Sequence, residues 1–334
     1  MFTRTVPFPT DDDFAHAREV VSRYLTRTPL VPSRVRRTGW LKVESFQPTG
    51  SFKVRGALAA LSAAPADRPI ITASAGNHAL GVAFAAKALD RNAMVVVPET
   101  ASPAKIEALR TLPVQMITHG DDFDAAEAWA ISRADAPAKD VTFLSPYNDP
   151  HVIAGQATML DEIIAQHPGD RPLTVVAGAG GGGLLSGLGL GASQLTTDER
   201  PIRVVGVEAE ASQGLSTAVA AGQVEVVEVE PTLADGLAGN IEEGSITVEL
   251  VKRHVAEIVQ VTEDDIAAGI RWLVTNHGLV AEGAGAAPVA ALLADLIDPD
   301  LLDGDVVAIL SGRNIALPIL ATVLMGEDVI HEAE

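Results

Sequence analysis

The sequence contains no cysteine among its 334 residues. This absence excludes disulfide bonds, cysteine-ligated zinc, iron–sulfur clusters and thiol nucleophiles. Basic residues are also few, because 24 lysines and arginines stand against 44 acidic residues and give a formal net charge of -20. We therefore expect neither nucleic acid nor an anionic membrane as a partner, since both carry negative charge.

Several catalytic and targeting motifs are also missing. None of the eight histidines forms an H-x-x-x-H or H-E-x-x-H pair, and neither a G-x-S-x-G turn nor a G-x-x-x-x-G-K-[ST] loop occurs. These absences exclude metalloproteases, α/β-hydrolases and P-loop enzymes. The first residues, MFTRTVPFPTDDDF, contain no apolar segment ahead of the acidic run, so we predict no secretory signal and a cytoplasmic location.

Short β-rich runs alternate along the chain with alanine-rich helical stretches. The runs are ITA near Ile71, MVVVP near Met94, VQMIT near Val114, LTVVA near Leu173, IRVVGVE near Ile202 and VVAILS near Val306. This alternation predicts an α/β fold with parallel-rich twisted sheets flanked by helices. An amphipathic helix is predicted over residues 14–25, ahead of the first run.

The length of the chain predicts two lobes. Turn-forming residues cluster at 63–67 and again at 145–150, and the two clusters bracket an inserted segment. We therefore predict a large domain built from residues 1–65 and 149–334, and a small inserted domain formed by residues 66–148.

Residues 173–197 contain no charged side chain, which raises the alternative of a membrane span. Gly183, Gly187 and Gly191 even repeat the spacing of packed membrane helices. Against this alternative, four consecutive glycines interrupt the segment, and each costs about 1 kcal/mol in a helix interior. We favour a buried strand followed by a glycine-rich turn.

The glycine-rich turn, residues 178–183, follows a predicted strand and opens into a helix. Its backbone N–H groups can face an anion at the helix N-terminus, so it predicts a phosphate site. The same residues satisfy G-x-G-x-x-G, and Glu208 at the end of the next strand is placed to bind a ribose hydroxyl. A nicotinamide enzyme is therefore a rival reading, and a tight turn without a ligand is a third.

Lys53 lies in the segment ESFQPTGSFK, where Pro48 and Gly50 predict a turn. Ser51 is then the predicted N-cap, and Lys53 falls in the first turn of a helix that runs through residues 54–61. The helix dipole and burial beside Phe52 would lower the pKa of the lysine and favour the free amine that a Schiff base needs. The competing reading is a solvated surface charge.

Two further loops follow predicted strands. Residues 74–78, SAGNH, offer backbone N–H groups suited to a carboxylate, and Asn77 adds side-chain donors and an acceptor. His78 fits a structural role better than that of a general base. Ser311 begins the sequence SGRN directly after the last β-rich run, at a strand end where open α/β sheets bind ligands.

Taken in order, these motifs resemble the fold-type II pyridoxal-phosphate enzymes, specifically the serine/threonine dehydratase and serine racemase family. The similarity runs from about Ser22 to about Ile319 and includes the stretches NDP at 148, LADG at 233 and EGAGA at 282. The resemblance implies pyridoxal 5'-phosphate as the cofactor, a small amino acid as the substrate, and a homodimer or higher homo-oligomer.

The resemblance also implies roles for individual residues. Lys53 would be the catalytic Schiff-base lysine with Phe52 beside it, Asn77 would contact the cofactor's 3-hydroxyl, and Ser311 would bind its pyridine nitrogen. The residues that would cradle the phosphate are Gly180, Gly181, Gly182, Gly183 and Leu184. Those that would hold the substrate carboxylate are Ser74, Ala75, Gly76, Asn77 and His78.

The implied reaction is β-elimination from threonine or serine, in which Lys53 takes the Cα proton and a 2-oxo acid and ammonia are released. The alternatives are a serine racemase or another β-hydroxy amino acid lyase of this family, the nicotinamide oxidoreductase, and an anion-binding protein without activity. Fold alone does not choose among them. Racemases that resemble this chain carry serine where Ala75 stands, so we expect little racemisation.

Two departures from the family pattern bear on specificity and metal binding. The usual S-G-G-N reads SGRN, so Arg313 either pairs with an extra acidic group of the substrate or forms an outward salt bridge. Where metal-activated relatives have a second acidic residue, Glu208 is accompanied by Ser212 and Gly214. We therefore expect no metal site.

Overall fold

A computed structural model of the chain describes residues 4–101, 103–136 and 140–326, apart from the side chains of residues 103–105 and 108. These residues form ten strands, twelve α-helices and two short 3-10 helices, Glu44–Phe46 and Pro299–Leu302. The strands are β1 Leu30–Ser33, β2 Gly39–Val43, β3 Ile70–Ala73, β4 Ala93–Val97, β5 Gln115–Thr118, β6 Thr142–Phe143, β7 Leu173–Gly178, β8 Ile202–Ala209, β9 Glu257–Val261 and β10 Asp305–Leu310. The helices are α1 Asp11–Tyr24, α2 Lys53–Ala63, α3 Asn77–Ala88, α4 Pro103–Arg110, α5 Phe123–Ala134, α6 Pro150–Gln166, α7 Gly183–Leu195, α8 Gly214–Ala221, α9 Ile246–His254, α10 Glu263–His277, α11 Gly283–Leu293 and α12 Leu317–Met325.

The larger sheet has six strands in the order β1-β2-β10-β7-β8-β9. Only β1 is antiparallel to its neighbour among these strands, and the other pairs are parallel. Every residue of β7 and β10 is buried, as expected for central parallel strands that helices cover on both faces. The carboxyl ends of β2, β10, β7 and β8 meet at one edge of this sheet.

The smaller sheet is parallel throughout and has the order β5-β4-β3-β6. Its four strands all lie between residues 70 and 143, within the segment predicted as an inserted domain. The predicted α/β class with parallel-rich sheets is confirmed. The exact domain boundaries stay a prediction.

The predicted first helix begins three residues earlier than expected, at Asp11. Thr10 and Asp13 form a capping box, in which the Asp13 carboxylate accepts from the Thr10 N–H at 2.7 Å. This reciprocal cap satisfies backbone donors of the first turn and so extends the helix towards the N-terminus.

The uncharged stretch forms β7, the glycine turn and α7, and α7 packs closely on α6. A Cβ atom on Gly187 would lie 2.5 Å from the carbonyl oxygen of Ile153, so the small residue permits the close approach of the two helices. Among the residues that the structure describes, no helix has both the length and the apolar character required to cross a membrane.

Candidate active site

Lys53 is the first residue of α2, and the segment before it is joined to the segment after β10. The Phe52 N–H donates to the carbonyl oxygen of Ser311 at 2.9 Å. The prediction of Ser51 as N-cap is wrong, because its backbone forms a β-bridge with Gly312 and the N-cap position falls on Phe52. The bridge brings Lys53 to the carboxyl edge of the larger sheet.

The amine of Lys53 is buried. Its Nζ donates to the carbonyl oxygen of Pro146 at 3.0 Å and lies 5.4 Å from the centroid of the Phe52 ring. Burial lowers the pKa of Lys53 to about 8, and the negative charge of Glu282 acts in the opposite direction. A substantial fraction of the amine is therefore unprotonated slightly above neutral pH.

Gly180, Gly181 and Gly182 form the turn between β7 and α7. Gly182 has a φ of +84°, the left-handed region that glycine adopts without strain. A Cβ on Gly181 would lie 2.4 Å from the ring of Tyr147, so no larger residue fits beneath that ring. Thr247 donates its hydroxyl to the carbonyl oxygen of Gly181 at 2.8 Å and fixes the orientation of that peptide.

Within the described part of the chain, the first turn of α7 has backbone N–H groups that lie outside the helical hydrogen bonds. Gly183 and Leu184 are its first two residues, and the Ser186 N–H already donates to the carbonyl of Gly182 at 2.8 Å. The N–H groups before Ser186 precede this first helical bond and are therefore available to a ligand. Together with the helix dipole they form an anion site.

Ser311 follows β10 directly and is buried. Its Oγ lies 3.4 Å from the carbonyl oxygen of Ala284, a long hydrogen bond. Because β10 and β7 are adjacent and parallel, Ser311 and the glycine turn lie at the same edge of the sheet. The sequence predicted this position for Ser311.

The loop at residues 74–78 joins β3 to α3. The Ser74 hydroxyl accepts from the N–H groups of Gly76 at 3.2 Å and Ala79 at 3.3 Å, so it stabilises the turn itself. Ala75 packs against the hydrophobic cluster of the smaller sheet that includes Val95. A Cβ on Gly76 would meet nothing within 4 Å, so the loop borders open space.

His78 is buried at the start of α3 beside this loop. Burial, and then the nearby charge of Lys53, lowers the pKa of His78 to about 3. So weak a base does not take up a proton near neutral pH. This environment favours the structural reading of His78.

A hydrogen-bonded network joins Asn77 to two residues to which the motifs gave no role. The Asn77 amide donates to Oε1 of Glu282 at 2.6 Å and accepts from the Asn314 amide at 2.6 Å. The Asn314 N–H donates to Oε2 of Glu282 at 3.0 Å. The available signal for Glu282 was an acidic residue directly ahead of a run of small residues that opens a helix.

Arg313 is exposed, and its guanidinium donates to the carbonyl oxygen of Ser45. Its backbone N–H donates to the carbonyl of Gly50 at 2.9 Å. The guanidinium therefore binds a backbone carbonyl of the segment ahead of Lys53, and both predicted roles of Arg313 stay predictions.

Glu208 lies on β8, and its carboxylate reaches the N-terminus of α8. Its Oε1 accepts from the N–H groups of Leu215 at 2.8 Å and Ser216 at 3.1 Å, so this oxygen caps the helix. Burial raises the pKa of Glu208, and the hydrogen bonds from Ser216 act in the opposite direction. This arrangement weakens the reading of Glu208 as a ribose ligand.

Comparison with known families decides between pyridoxal phosphate and a nicotinamide as the cofactor. A family described as "Pyridoxal-phosphate dependent enzyme" matches residues 21–312. The chain belongs to this family. The resemblance inferred from the motifs is confirmed, and pyridoxal phosphate, not a nicotinamide, is the cofactor of this enzyme family.

Individual relatives agree with this assignment. The chain is 39% identical over 323 residues to the L-threonine ammonia-lyase of Thermotoga maritima, covering 94% of this chain and 78% of that protein. The structure of maize serine racemase has a TM-score of 0.85 at 26% identity and covers 96% of this chain and 98% of its own. The T.th. threonine deaminase has a TM-score of 0.80 at 33% identity, covering 92% of this chain and 99% of its own.

The site of this pyridoxal-phosphate dependent enzyme fits its cofactor. Pyridoxal phosphate has an aldehyde, a phosphate, a ring nitrogen and a ring hydroxyl. At one sheet edge the structure brings together the buried amine of Lys53, the N–H donors at the start of α7 and the hydroxyl of Ser311. Asn77 retains a second amide hydrogen beyond its bond to Glu282.

Proposed function

We propose that this enzyme eliminates water from threonine or serine and releases a 2-oxo acid and ammonia. The observation that carries this proposal is the buried amine of Lys53, whose pKa is lowered to about 8 by desolvation. An amine of this kind is a competent proton acceptor near neutral pH. The similarity to the L-threonine ammonia-lyase of Thermotoga maritima supports the choice of substrate.

Four sets of residues would hold the cofactor. Lys53 would bind it through the amine, Asn77 through the ring hydroxyl and Ser311 through the ring nitrogen, with the Phe52 ring beside the amine. The phosphate would bind to the N–H groups of the segment that contains Gly180, Gly181, Gly182, Gly183 and Leu184. Its negative charge is favoured at the N-terminus of α7.

When bound, pyridoxal phosphate supplies an electron sink for the pair released as the Cα–H bond of the substrate breaks. Lys53 accepts the Cα proton. Its burial keeps water from competing for the amine, and the carbonyl of Pro146 orients it. Ser311 is a neutral partner, so it does not hold a proton on the ring nitrogen as a carboxylate would.

The substrate carboxylate would bind to the loop that contains Ser74, Ala75, Gly76, Asn77 and His78. The open space at Gly76 leaves room for it. Glu282 and Asn314 would act by orienting the Asn77 amide. We also propose that residues 66–148, which include this loop, form a separate small domain.

Racemisation of serine is the second candidate, which the similarity to maize serine racemase favours. A racemase needs an acid on the face of Cα opposite the lysine. The methyl group of Ala75 carries no proton, so we expect elimination to dominate.

We propose that the protein forms a homodimer or higher homo-oligomer in the cytoplasm. The support for an oligomer is the exposed apolar surface of α12, where Val323 is buried but Leu317 and Met325 are 78% and 64% exposed. An apolar helix with such exposed faces is typical of an interface between copies of one chain. Light scattering coupled to size-exclusion chromatography measures the assembly, and a monomer at all concentrations would contradict this proposal.

The proposed reaction is tested with purified holoenzyme and a panel of small amino acids. We expect ammonia and a 2-oxo acid in equal amounts from L-threonine or L-serine. Alanine, which has no leaving group on Cβ, is the negative control. Absence of ammonia from every β-hydroxy amino acid in the panel would refute the proposed function.

A further inference from the structure

The segment 145–148 connects the smaller sheet to α6 and contacts two parts of the candidate site. The carbonyl oxygen of Pro146 accepts from Nζ of Lys53 at 3.0 Å. The next residue, Tyr147, lies over the glycine turn, because a Cβ on Gly181 would lie 2.4 Å from its ring. Any displacement of this segment therefore moves both the amine and the proposed phosphate site.

Arg4, near the beginning of the chain, holds this segment from outside. Its Nε and Nη2 donate to the two carboxylate oxygens of Glu242 at 2.5 and 2.8 Å. Nη2 also donates to the carbonyl oxygen of Asn148 at 3.1 Å, and the guanidinium lies 4.7 Å from the centroid of the Phe143 ring. Arg4 thus contacts the last residue of the segment, Asn148, and the strand β6 that precedes the segment.

Glu242 completes the connection to Tyr147 and Asn148. Its backbone N–H donates to the Tyr147 hydroxyl at 2.8 Å, and its carboxylate accepts from the Asn148 amide at 2.9 Å. The Asn148 amide oxygen in turn accepts from the N–H of Ile246 at 3.1 Å. Hydrogen bonds therefore connect Arg4, through Glu242, to Tyr147, which lies over the glycine turn, and to Asn148, which lies ahead of α6.

The Arg4–Glu242 pair differs from an ordinary surface ion pair. The two side chains are only 18% and 7% exposed, and the contact is bidentate. Paired guanidinium and carboxylate groups of this geometry are stronger and more specific than exposed pairs. Removal of Arg4 would leave the Glu242 carboxylate buried without its cationic partner, which the surrounding loop can relieve only by moving.

We propose that Arg4 is a positioning residue for the cofactor, acting through Glu242 and the segment 145–148 on the glycine turn and on Lys53. This inference rests on the proposed function for the identity of the cofactor. It assigns a role to an arginine 49 residues ahead of Lys53 that itself touches neither cofactor nor substrate.

The test measures retention of pyridoxal phosphate by the holoenzyme rather than turnover. Wild type, Arg4→Ala and Arg4→Lys are diluted in the loaded form, and the bound fraction is followed by visible absorbance and by the cofactor in an ultrafiltrate. We expect about tenfold weaker retention in Arg4→Ala. Arg4→Lys should rescue it only in part, because lysine lacks the bidentate geometry.

The matched control is Arg18→Ala. Arg18 also lies near the beginning of the chain and pairs with Asp161 at 2.8 Å, but this pair joins α1 to α6 away from the segment 145–148. We expect Arg18→Ala to retain the cofactor as wild type does. Equal losses in the Arg4 and Arg18 variants would indicate general destabilisation and overturn the proposal.

Tyr147→Phe keeps the test decisive if Arg4→Ala does not fold. It removes the hydroxyl that accepts from the Glu242 N–H and leaves the ring over Gly181. We expect severalfold weaker retention and a shift in the pH dependence of the visible absorbance. Wild-type retention by Tyr147→Phe, or by a folded Arg4→Ala, would overturn the proposal. Failure of the wild type to release ammonia would instead refute the proposed function.

Discussion

At the scale of single residues, we expect Ala75 to decide between elimination and racemisation. Its methyl group lies in the loop proposed to bind the substrate carboxylate and packs against the cluster around Val95. We expect the wild-type enzyme to form negligible D-serine from L-serine, because the methyl group of Ala75 cannot donate a proton. Ala75→Ser should raise D-serine measurably relative to ammonia.

Chiral chromatography of the reaction mixture measures this ratio. Ala128→Ser, at an exposed position of α5, is the control and should leave the ratio unchanged. Substantial D-serine from the unmodified enzyme would show that another group serves the face of Cα opposite the lysine.

The residues of the candidate site differ in how far the sequence predicts them. Short sequence motifs contain Lys53, the glycine turn and Ser311, so these sites are predictable from neighbouring residues alone. The same local sequence also predicts the lowered pKa of Lys53. Glu282 is different, because its contact with Asn77 spans 205 positions in the chain. A contact of that separation depends on the relative placement of the two sheets, which no local pattern contains.

At the scale of helices and strands, Arg55 attaches the helix that carries Lys53. Its guanidinium, fully buried on α2, donates to both oxygens of the buried Glu44 at 2.8 Å and to Glu162 on α6 at 2.8 Å. We expect Arg55→Met to lower the free energy of unfolding by about 3–5 kcal/mol, because it leaves a buried carboxylate without its partner.

Denaturant unfolding followed by circular dichroism measures this loss. Arg23→Met is the control, since Arg23 pairs with Glu19 on the surface of α1 and both side chains are more than half exposed. The double variant Arg55→Met and Glu44→Met should recover part of the loss. A loss in Arg55→Met no larger than in the control would contradict this account of the buried pair.

The strands also show where sequence prediction ends. Six of the ten described strands match the predicted β-rich runs. Five of these six lie in the sheet interiors, where the sequence is mostly apolar, and only β5 lies at an edge. The sequence did not predict β1, β2, β6 and β9. Three of these, β1, β6 and β9, lie at sheet edges, and β1 and β9 have polar or half-buried positions. Edge strands need less apolar sequence, so their pattern is weak.

At the scale of the whole molecule, the stability should depend on pH through Glu127. Burial, and then the charge of Glu242, raises the pKa of Glu127 from 4.5 to about 8. Between these values the folded chain keeps a proton that the unfolded chain has released. The free energy of unfolding should therefore fall as the pH rises through this window, by at most about 1.4 kcal/mol per unit.

Glu127→Gln should remove this slope and raise stability at the alkaline end, because the amide stays neutral at every pH. Denaturation midpoints at about pH 6 and about pH 9 measure the slope. Glu199→Gln, at an exposed position, should behave as wild type. An unchanged slope in Glu127→Gln would mean that another group binds the proton.

The most direct test of the central claim compares Lys53→Ala with wild type in the release of ammonia from L-threonine and L-serine. We expect Lys53→Ala to lose activity by at least about 10³-fold while it remains folded and still binds the cofactor's phosphate. Lys87→Ala, which removes an exposed lysine of α3, should keep wild-type activity. Near wild-type release of ammonia by Lys53→Ala would contradict the account, because another group would then be taking the Cα proton.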